Sequence, residues 1–171
     1  MPNHVTHKFT VKGTTSELQK FYLQCFTTSK DCQEFDFNSL IPQPKILLNT
    51  IAGNTQEMTT PEYKALEAEA VEQTGCKNWY DWCCTYWGTK WNAYSCYVAQ
   101  EEEEIFLEFD TAWSCPEPIF DKLAEQFPTL EFCGYALDEG YGFGAEIIIK
   151  DGEASVEYLD AKILSFASEF I

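Results

Sequence analysis

Residues 78–94 read NWYDWCCTYWGTKWNAY and hold four of the five tryptophans in the 171-residue chain. Asn78 is a good helix N-cap, and Asp81 follows three residues later, where it can reach back to the cap. Behind this cap, large side chains repeat at the spacing of one helical face, at Trp79, Trp82, Cys83, Tyr86 and Trp87. Because each large ring can bury roughly 150–250 Å², the stretch predicts a helix that packs into the core and ends at Gly88.

Outside this helix, the pattern predicts a chain that mixes strands and helices. Alternating or continuous apolar runs predict strands at His7–Lys12, Ala93–Ala99, Ile105–Trp113, Leu130–Tyr135, Ala145–Lys150 and Ser155–Leu159. Further helices are predicted to start at Ser16, Pro61, Pro116 and Asp160. The first of them is predicted to bury Leu18, Phe21, Tyr22, Cys25 and Phe26.

This order of elements predicts an α+β fold. When a helical insertion at about 43–89 and the C-terminal helix are set aside, the order is βαββαβ, which is that of a ferredoxin-like sandwich. We therefore expect a mainly antiparallel sheet with helices on one face, in a single domain that spans residues 1–171.

The charge of the chain is strongly negative. It has 28 acidic residues against 11 basic ones, a formal net charge of -17, and every basic residue is a lysine. Arginine is the preferred residue for contacts to phosphates and bases, so we expect no direct binding to nucleic acid. Acidic residues are concentrated in two runs, which are expected either to form a solvated surface or to contact a basic partner. The first run is Glu62, Glu67, Glu69 and Glu72, and the second is Glu101, Glu102, Glu103 and Glu104.

The compartment is predicted from what the chain lacks. Its first residues, MPNHVTHKFTVKG, contain no apolar run of the kind found in signal peptides. No segment has the roughly 20 apolar residues of a membrane-spanning helix, so we expect no membrane association. The eight cysteines are therefore expected to be reduced thiols in a cytoplasmic protein.

The available side chains favour a protein without enzymatic activity. The two histidines, His4 and His7, would face opposite sides of a strand, so we expect neither a metal nor another cofactor. A cysteine nucleophile needs a base within reach, and both histidines lie near the N-terminus. No Walker, GxGxxG or GxSxG motif is present. No catalytic residue is assigned.

Polar residues among aromatic ones mark a candidate binding site where WGTKWNAY meets FDTAWS. In one interpretation Asn92 pairs with backbone groups in a turn, and Lys90 lies against an indole face. In the other, the junction is a shallow pocket that receives a partner's side chain or a base. The candidate pocket consists of Trp87, Lys90, Trp91, Asn92, Tyr94, Asp110 and Trp113.

Six blocks of the sequence carry a family resemblance. They are MPN at 1–3, FDFNSLIPQP at 35–44, YDWCCTYWGTKWNA at 80–93, FDTAWSCPEP at 109–118, GYGFGAE at 140–146 and KDGE at 150–153. In this order they resemble the YubB/Api92-like family of ferredoxin-like proteins, found on plasmids and phages. The chain departs from that pattern after MPN, where HVTHKFTV replaces an expected Trp and Cys. The resemblance implies an accessory protein of a mobile element in a bacterial host cell, a class that often counters host defence.

Two functional hypotheses from different classes remain open. The first is a non-enzymatic protein that binds and inhibits a basic host factor, such as a nucleic-acid-handling defence complex, with its glutamates in place of phosphates. The second is a small-molecule or nucleotide-binding module built on the aromatic pocket. A homodimer through the last predicted helix, by way of Ile163, Phe166 and Phe170, is a further open interpretation.

Overall fold

The described part of the protein is built on a six-stranded sheet in which all neighbouring strands run antiparallel. A computed structural model describes residues 3–29 and 32–161. In spatial order the strands are β4 (Tyr94–Gln100), β5 (Glu104–Ala112), β1 (His4–Lys12), β6 (Glu131–Asp138), β7 (Gly144–Lys150) and β8 (Glu153–Leu159).

Four of these strands and two helices form the ferredoxin-like unit. Strands β1, β4, β5 and β6 alternate with α1 (Thr15–Cys25) and α4 (Glu117–Gln126) in the order βαββαβ. The first strand lies between β5 and β6, so the two halves of the unit interlock through it. Strands β7 and β8 extend the sheet beyond β6. The predicted α+β, ferredoxin-like fold is confirmed.

Burial alternates along the strands because successive side chains point to opposite faces of the sheet. In β1 the buried side chains are Val5, His7, Phe9 and Val11, and the residues between them are more exposed. Helices α1 and α4 cover this face with Leu18, Phe21, Ile119, Phe120 and Leu123. The helices therefore lie on one face of the sheet, as predicted.

A histidine lies within this aromatic core. The His7 ring stacks on Phe109 with 4.7 Å between ring centroids. Neither ring nitrogen makes a hydrogen bond with the described residues. Nearby backbone groups of Phe109 and Val5 raise the pKa of His7, whereas burial lowers it. Burial is the larger effect and lowers the pKa of His7 to about 3. The ring is therefore neutral at pH 7 and packs as an aromatic residue.

The segment between the first half of the fold and β4 is mostly helical. Short 3-10 turns at Phe37–Ser39, Lys45–Asn49 and Gln56–Thr59 precede α2 (Pro61–Thr74) and α3 (Trp79–Tyr86). The predicted cap of α3 is confirmed at Asn78, whereas α2 is capped by Thr60 and ends at Gly75, which has a φ of 74°. No helix among the described residues is long and apolar enough to cross a membrane.

Some details differ from the sequence-based predictions. The cap of α1 is Thr14 and not Ser16, because the Thr14 side chain accepts from the Glu17 N–H while Glu17 accepts from the Thr14 N–H. Phe26 begins a strand, β2 (Phe26–Ser29), which pairs with β3 (Cys32–Phe35) in a hairpin that was not predicted. The predicted helix with Ile163, Phe166, Ala167, Phe170 and Ile171 lies outside the described residues. A single domain over 1–171 therefore stays a prediction.

Candidate functional site

Two loops meet at the end of β5 and bring the aromatic segments together. Gly88 follows α3 with a φ of 75°, a conformation that favours glycine, and a Cβ there would lie 2.8 Å from Pro118 Cδ. The Ser114 hydroxyl donates to the Gly88 carbonyl oxygen at 2.6 Å, and the Thr89 hydroxyl donates to the Ala112 carbonyl oxygen at 2.8 Å. These contacts fix the residues after Gly88 against the end of the strand.

Lys90 lies among aromatic rings at this junction. Its Nζ is 4.5 Å from the ring centroid of Trp91, 4.8 Å from that of Trp113 and 5.9 Å from that of Tyr80. All three distances fall within the range of about 6 Å for a cation–π interaction. The rings border a shallow cavity of about 380 Å³, which is lined by Ala52, Gly53, Trp79, Tyr80, Lys90, Trp91 and Trp113. We refer to Tyr80, Lys90, Trp91 and Trp113 as the Lys90 surface.

Trp113 has a backbone conformation that bulky residues rarely adopt. Its φ is 75°, in the left-handed region where a Cβ is disfavoured. Its N–H donates to the Asn3 carbonyl oxygen at 3.0 Å, which ties it to the residue before β1. The Trp113 side chain is nevertheless 43% exposed, and that of Trp91 is 38% exposed. Because backbone strain of this kind concentrates at functional sites, the Lys90 surface is the candidate functional site.

Two residues of the predicted pocket hold the fold together and do not line this cavity. Trp87 is 3% exposed, and its Nε1–H donates to the Ile41 carbonyl oxygen at 2.9 Å. Asn92 Oδ1 accepts from the Phe37 N–H at 2.8 Å, and its Nδ2 donates to Asp36 Oδ1 at 2.7 Å. Asn92 therefore ties the turn before β4 to the loop after β3, which is the interpretation in which it satisfies backbone groups.

Tyr94 and Asp110 lie on the face of the sheet away from α1 and α4, and neither lines the cavity, although the Tyr94 ring meets that of Trp91 edge to face with 6.3 Å between centroids. The Tyr94 hydroxyl is 2.6 Å from His4 Nδ1, and Asp110 Oδ1 accepts from the Thr6 hydroxyl at 2.7 Å. Burial, reinforced by the negative charges of Asp110 and Glu139, raises the pKa of Tyr94 to about 12. Tyr94 therefore stays protonated at neutral pH and acts as a hydrogen-bonding group of the sheet.

Tyr80 belongs to the Lys90 surface although it is not part of the pocket predicted from the sequence. Its ring meets that of Trp113 edge to face, with 6.3 Å between centroids. Cys84 lies one helical turn later, beside Tyr80. Burial raises the pKa of the Cys84 thiol, while Tyr80 and Lys90 oppose the rise. The sequence offers one indication that Tyr80 lies at the surface of α3. Tyr80 and Cys84 are four residues apart, on the helical face beside the buried stripe that contains Trp82.

The two acidic runs lie on different parts of the molecule. On α2, which packs against the preceding 3-10 turns, Glu62, Glu69 and Glu72 are exposed and Glu67 is half-buried. Between β4 and β5, Glu101, Glu102 and Glu103 form an exposed tip, while Glu104 pairs with Lys12 at 3.8 Å. The length of β5 separates this tip from Trp113 by roughly 30 Å at the usual rise of a strand. The structure therefore does not join the acidic tip to the Lys90 surface.

The described residues include no cluster of three or more His, Cys, Asp and Glu side chains that could hold a metal ion. His4 and His7 lie on opposite faces of β1, as predicted, and only the His7 side chain points into the core. The cysteines for which the structure describes the side chain are all unpaired.

The fold places the chain among the ferredoxin-like α+β proteins, and comparison with known proteins narrows this class. Residues 90–169 match the family model described as "Ferredoxin-like domain in Api92-like protein". The structure is similar to the crystal structure of a protein api92 from Yersinia pseudotuberculosis, with a TM-score of 0.52, 9% identity, and coverage of 92% of this chain and 98% of that one. No curated protein matches the chain. These comparisons support the Api92-like resemblance drawn from the motifs of the chain.

Proposed function

We propose that the protein is a non-enzymatic binding protein that attaches to a basic partner protein through the Lys90 surface. The observation that carries this proposal is Trp113, a large exposed side chain held in a strained backbone conformation. Tryptophan and tyrosine are enriched at the energetic centres of protein interfaces, and three such rings are grouped here.

The charge of the chain supports a basic partner. A net charge of -17 attracts a positively charged surface over long range and repels nucleic acid and other acidic proteins. The exposed glutamates of α2 and of the Glu101–Glu103 tip add to this attraction without touching the Lys90 surface. In this proposal they accelerate association, whereas the aromatic rings determine how long the complex lasts.

The resemblance to Api92-like proteins supports a biological setting for this binding. It implies an accessory protein of a plasmid or phage, a class that often acts against host defence. A nucleic-acid-handling defence complex carries basic grooves that fit an acidic protein, and exposed glutamates can take the place of phosphates there. We propose such a complex in the cytoplasm of the bacterial host as the partner, with inhibition as the result.

The test is capture of partners from host lysate by the tagged protein at low and high salt, with mass spectrometry. Wild type, Trp113→Ala and a Glu101–Glu103 charge reversal to lysine are compared. We expect Trp113→Ala to lose the captured basic protein at both salt concentrations. The charge reversal should capture less than wild type mainly at low salt, where the charges are least screened. Tyr97→Ala is the matched control, because Tyr97 is 63% exposed on the open sheet face and away from the Lys90 surface. Equal capture by wild type and Trp113→Ala contradicts the proposal.

A small-molecule or nucleotide-binding module is the second candidate, and the position of Lys90 favours it. An ammonium between two exposed indoles could bind a phosphate while a base stacks on one of the rings. This function predicts that a nucleotide quenches tryptophan fluorescence and that both Trp91→Ala and Lys90→Ala abolish the quenching. Absence of quenching and of any thermal shift across a nucleotide panel argues against it.

A further inference from the structure

We infer that Tyr80, Trp91 and Trp113 form a receptor for a cationic side chain of the partner, an arginine or a lysine, and that Lys90 fills this receptor in the free protein. Lys90 is then a tethered plug, which a partner cation displaces on binding. The inference deepens the proposed function and rests on it, because it names the chemical group that the Lys90 surface recognises.

A cation of the protein itself already occupies the receptor. Three aromatic rings approach one ammonium within 4.5, 4.8 and 5.9 Å, which is the arrangement by which proteins bind ammonium ligands. Four other lysines form salt bridges with glutamates in the described part of the chain: Lys8, Lys12, Lys122 and Lys150. No carboxylate of the described residues forms a salt bridge with Lys90, so its ammonium is held there by the rings.

The net charge of the chain favours a positively charged ligand. An anionic ligand would have to approach a chain of net charge -17, whereas a cationic side chain is attracted to it. A guanidinium group is planar and more weakly hydrated than an ammonium, so it stacks on indole faces at a lower cost of desolvation. A partner arginine can therefore replace the Lys90 ammonium, which returns to water as its flexible stem swings away.

The receptor is accessible to a partner's side chain. Trp91 and Trp113 expose more than a third of their surface, and the cavity between them and Tyr80 opens to solvent. Its far side is formed by Ala52 and Gly53, and nothing lies within 4 Å of the position that a Cβ on Gly53 would take. The entrance is therefore not blocked by a bulky side chain on that side.

The experiment is a fluorescence titration of full-length protein with acetyl-arginine methylamide, a probe that carries a single positive charge. Wild type is compared with Lys90→Ala and with Lys90→Met, which keeps an apolar stem in case the alanine variant unfolds. We expect the probe to bind both variants about tenfold more tightly than wild type, because no internal cation has to be displaced. Lys90→Arg is the matched control that keeps a cation in the receptor, and it should bind the probe no more tightly than wild type.

The ligand sign is tested in the same titration with glutarate as the anionic probe. Binding of glutarate to wild type that disappears in Lys90→Met, without any gain for the arginine probe, overturns the inference and assigns Lys90 as an anion receptor. Loss of the gained arginine binding in Lys90→Met/Trp113→Ala supports it. This inference can fail while the proposed function holds. In that case neither Lys90 variant gains affinity for the arginine probe, but capture of the partner still depends on Trp113.

Discussion

The aromatic residues on either side of Gly88 have opposite positions in the molecule although they come from one stretch of sequence. Trp82 and Trp87 are buried and meet edge to face with 5.5 Å between their ring centroids. Trp91, four residues after Trp87, is exposed to solvent, and the Lys90 ammonium lies over its ring. Helix α3 ends at Tyr86, and Gly88 then adopts a left-handed conformation that redirects the chain. Composition alone therefore does not tell a core tryptophan from a surface one, whereas the backbone around a single glycine does.

Truncation of Trp87 should have the largest effect on stability. Trp87→Ala removes a buried ring that contacts Phe37 and Trp82, and it leaves the Ile41 carbonyl oxygen without its indole donor. We expect a loss of about 3–5 kcal/mol in the free energy of unfolding, as is typical for a buried tryptophan. Chemical denaturation followed by circular dichroism measures it.

The matched surface variant sharpens this comparison. Trp91→Ala removes the same side chain four residues later, where it is 38% exposed, and should cost only about 1–2 kcal/mol, since its ring contacts Lys90 and Tyr94 but lies outside the core. A loss for Trp91→Ala as large as that for Trp87→Ala would show that the exposed ring also supports the core, and the distinction between the two sides of Gly88 would then fail.

The buried aromatic residues include a histidine, His7, whose burial should make the stability of the protein depend on pH. Burial lowers the pKa of His7 to about 3, whereas an unfolded histidine titrates near 6.5. Between these values the unfolded chain binds one more proton than the folded chain, so stability falls as pH falls below about 6.5. At pH 5 we expect His7 to contribute about 2 kcal/mol of destabilisation relative to pH 7.

The variant His7→Phe isolates this effect from other groups that titrate in the same range. Phenylalanine can keep the stack on Phe109 and cannot take up a proton. The difference in unfolding free energy between wild type and His7→Phe should therefore depend on pH between 7 and 5. A constant difference over that range would mean that the His7 imidazole is hydrated or protonated in the folded protein.

How far the sequence predicts this molecule depends on the range of the contacts involved. Helix caps such as Asn78 and the alternation along β5 are local, so they are readable from a few neighbouring residues. The β2–β3 hairpin was missed because its strands have only four residues each. The Lys90 surface was only partly predicted. Lys90, Trp91 and Trp113 were found because they lie in two recognisable motifs. Trp87 and Asn92 were included wrongly, because their contacts are with the distant loop at 36–41.

The smallest predicted effect on stability concerns the strained backbone of Trp113, and it separates the surface role of this residue from any role in folding. Trp113→Ala and Trp113→Gly both remove the indole, so both should lose partner capture. A φ of 75° strains the backbone of alanine but not that of glycine, so the two variants should differ in their free energy of unfolding. We expect the glycine variant to be more stable than the alanine variant by about 1 kcal/mol in chemical denaturation.

A comparison of the same two variants with wild type decides what maintains this strain. If the glycine variant is as stable as wild type or more stable, the tryptophan costs stability where it stands and its retention calls for a functional reason, which partner binding supplies. If both variants are less stable than wild type by more than about 2 kcal/mol, the indole stabilises the junction with Tyr80 and Lys90 by more than its backbone costs. Trp113 would then resemble Trp87, and the contrast across Gly88 would be one of exposure alone.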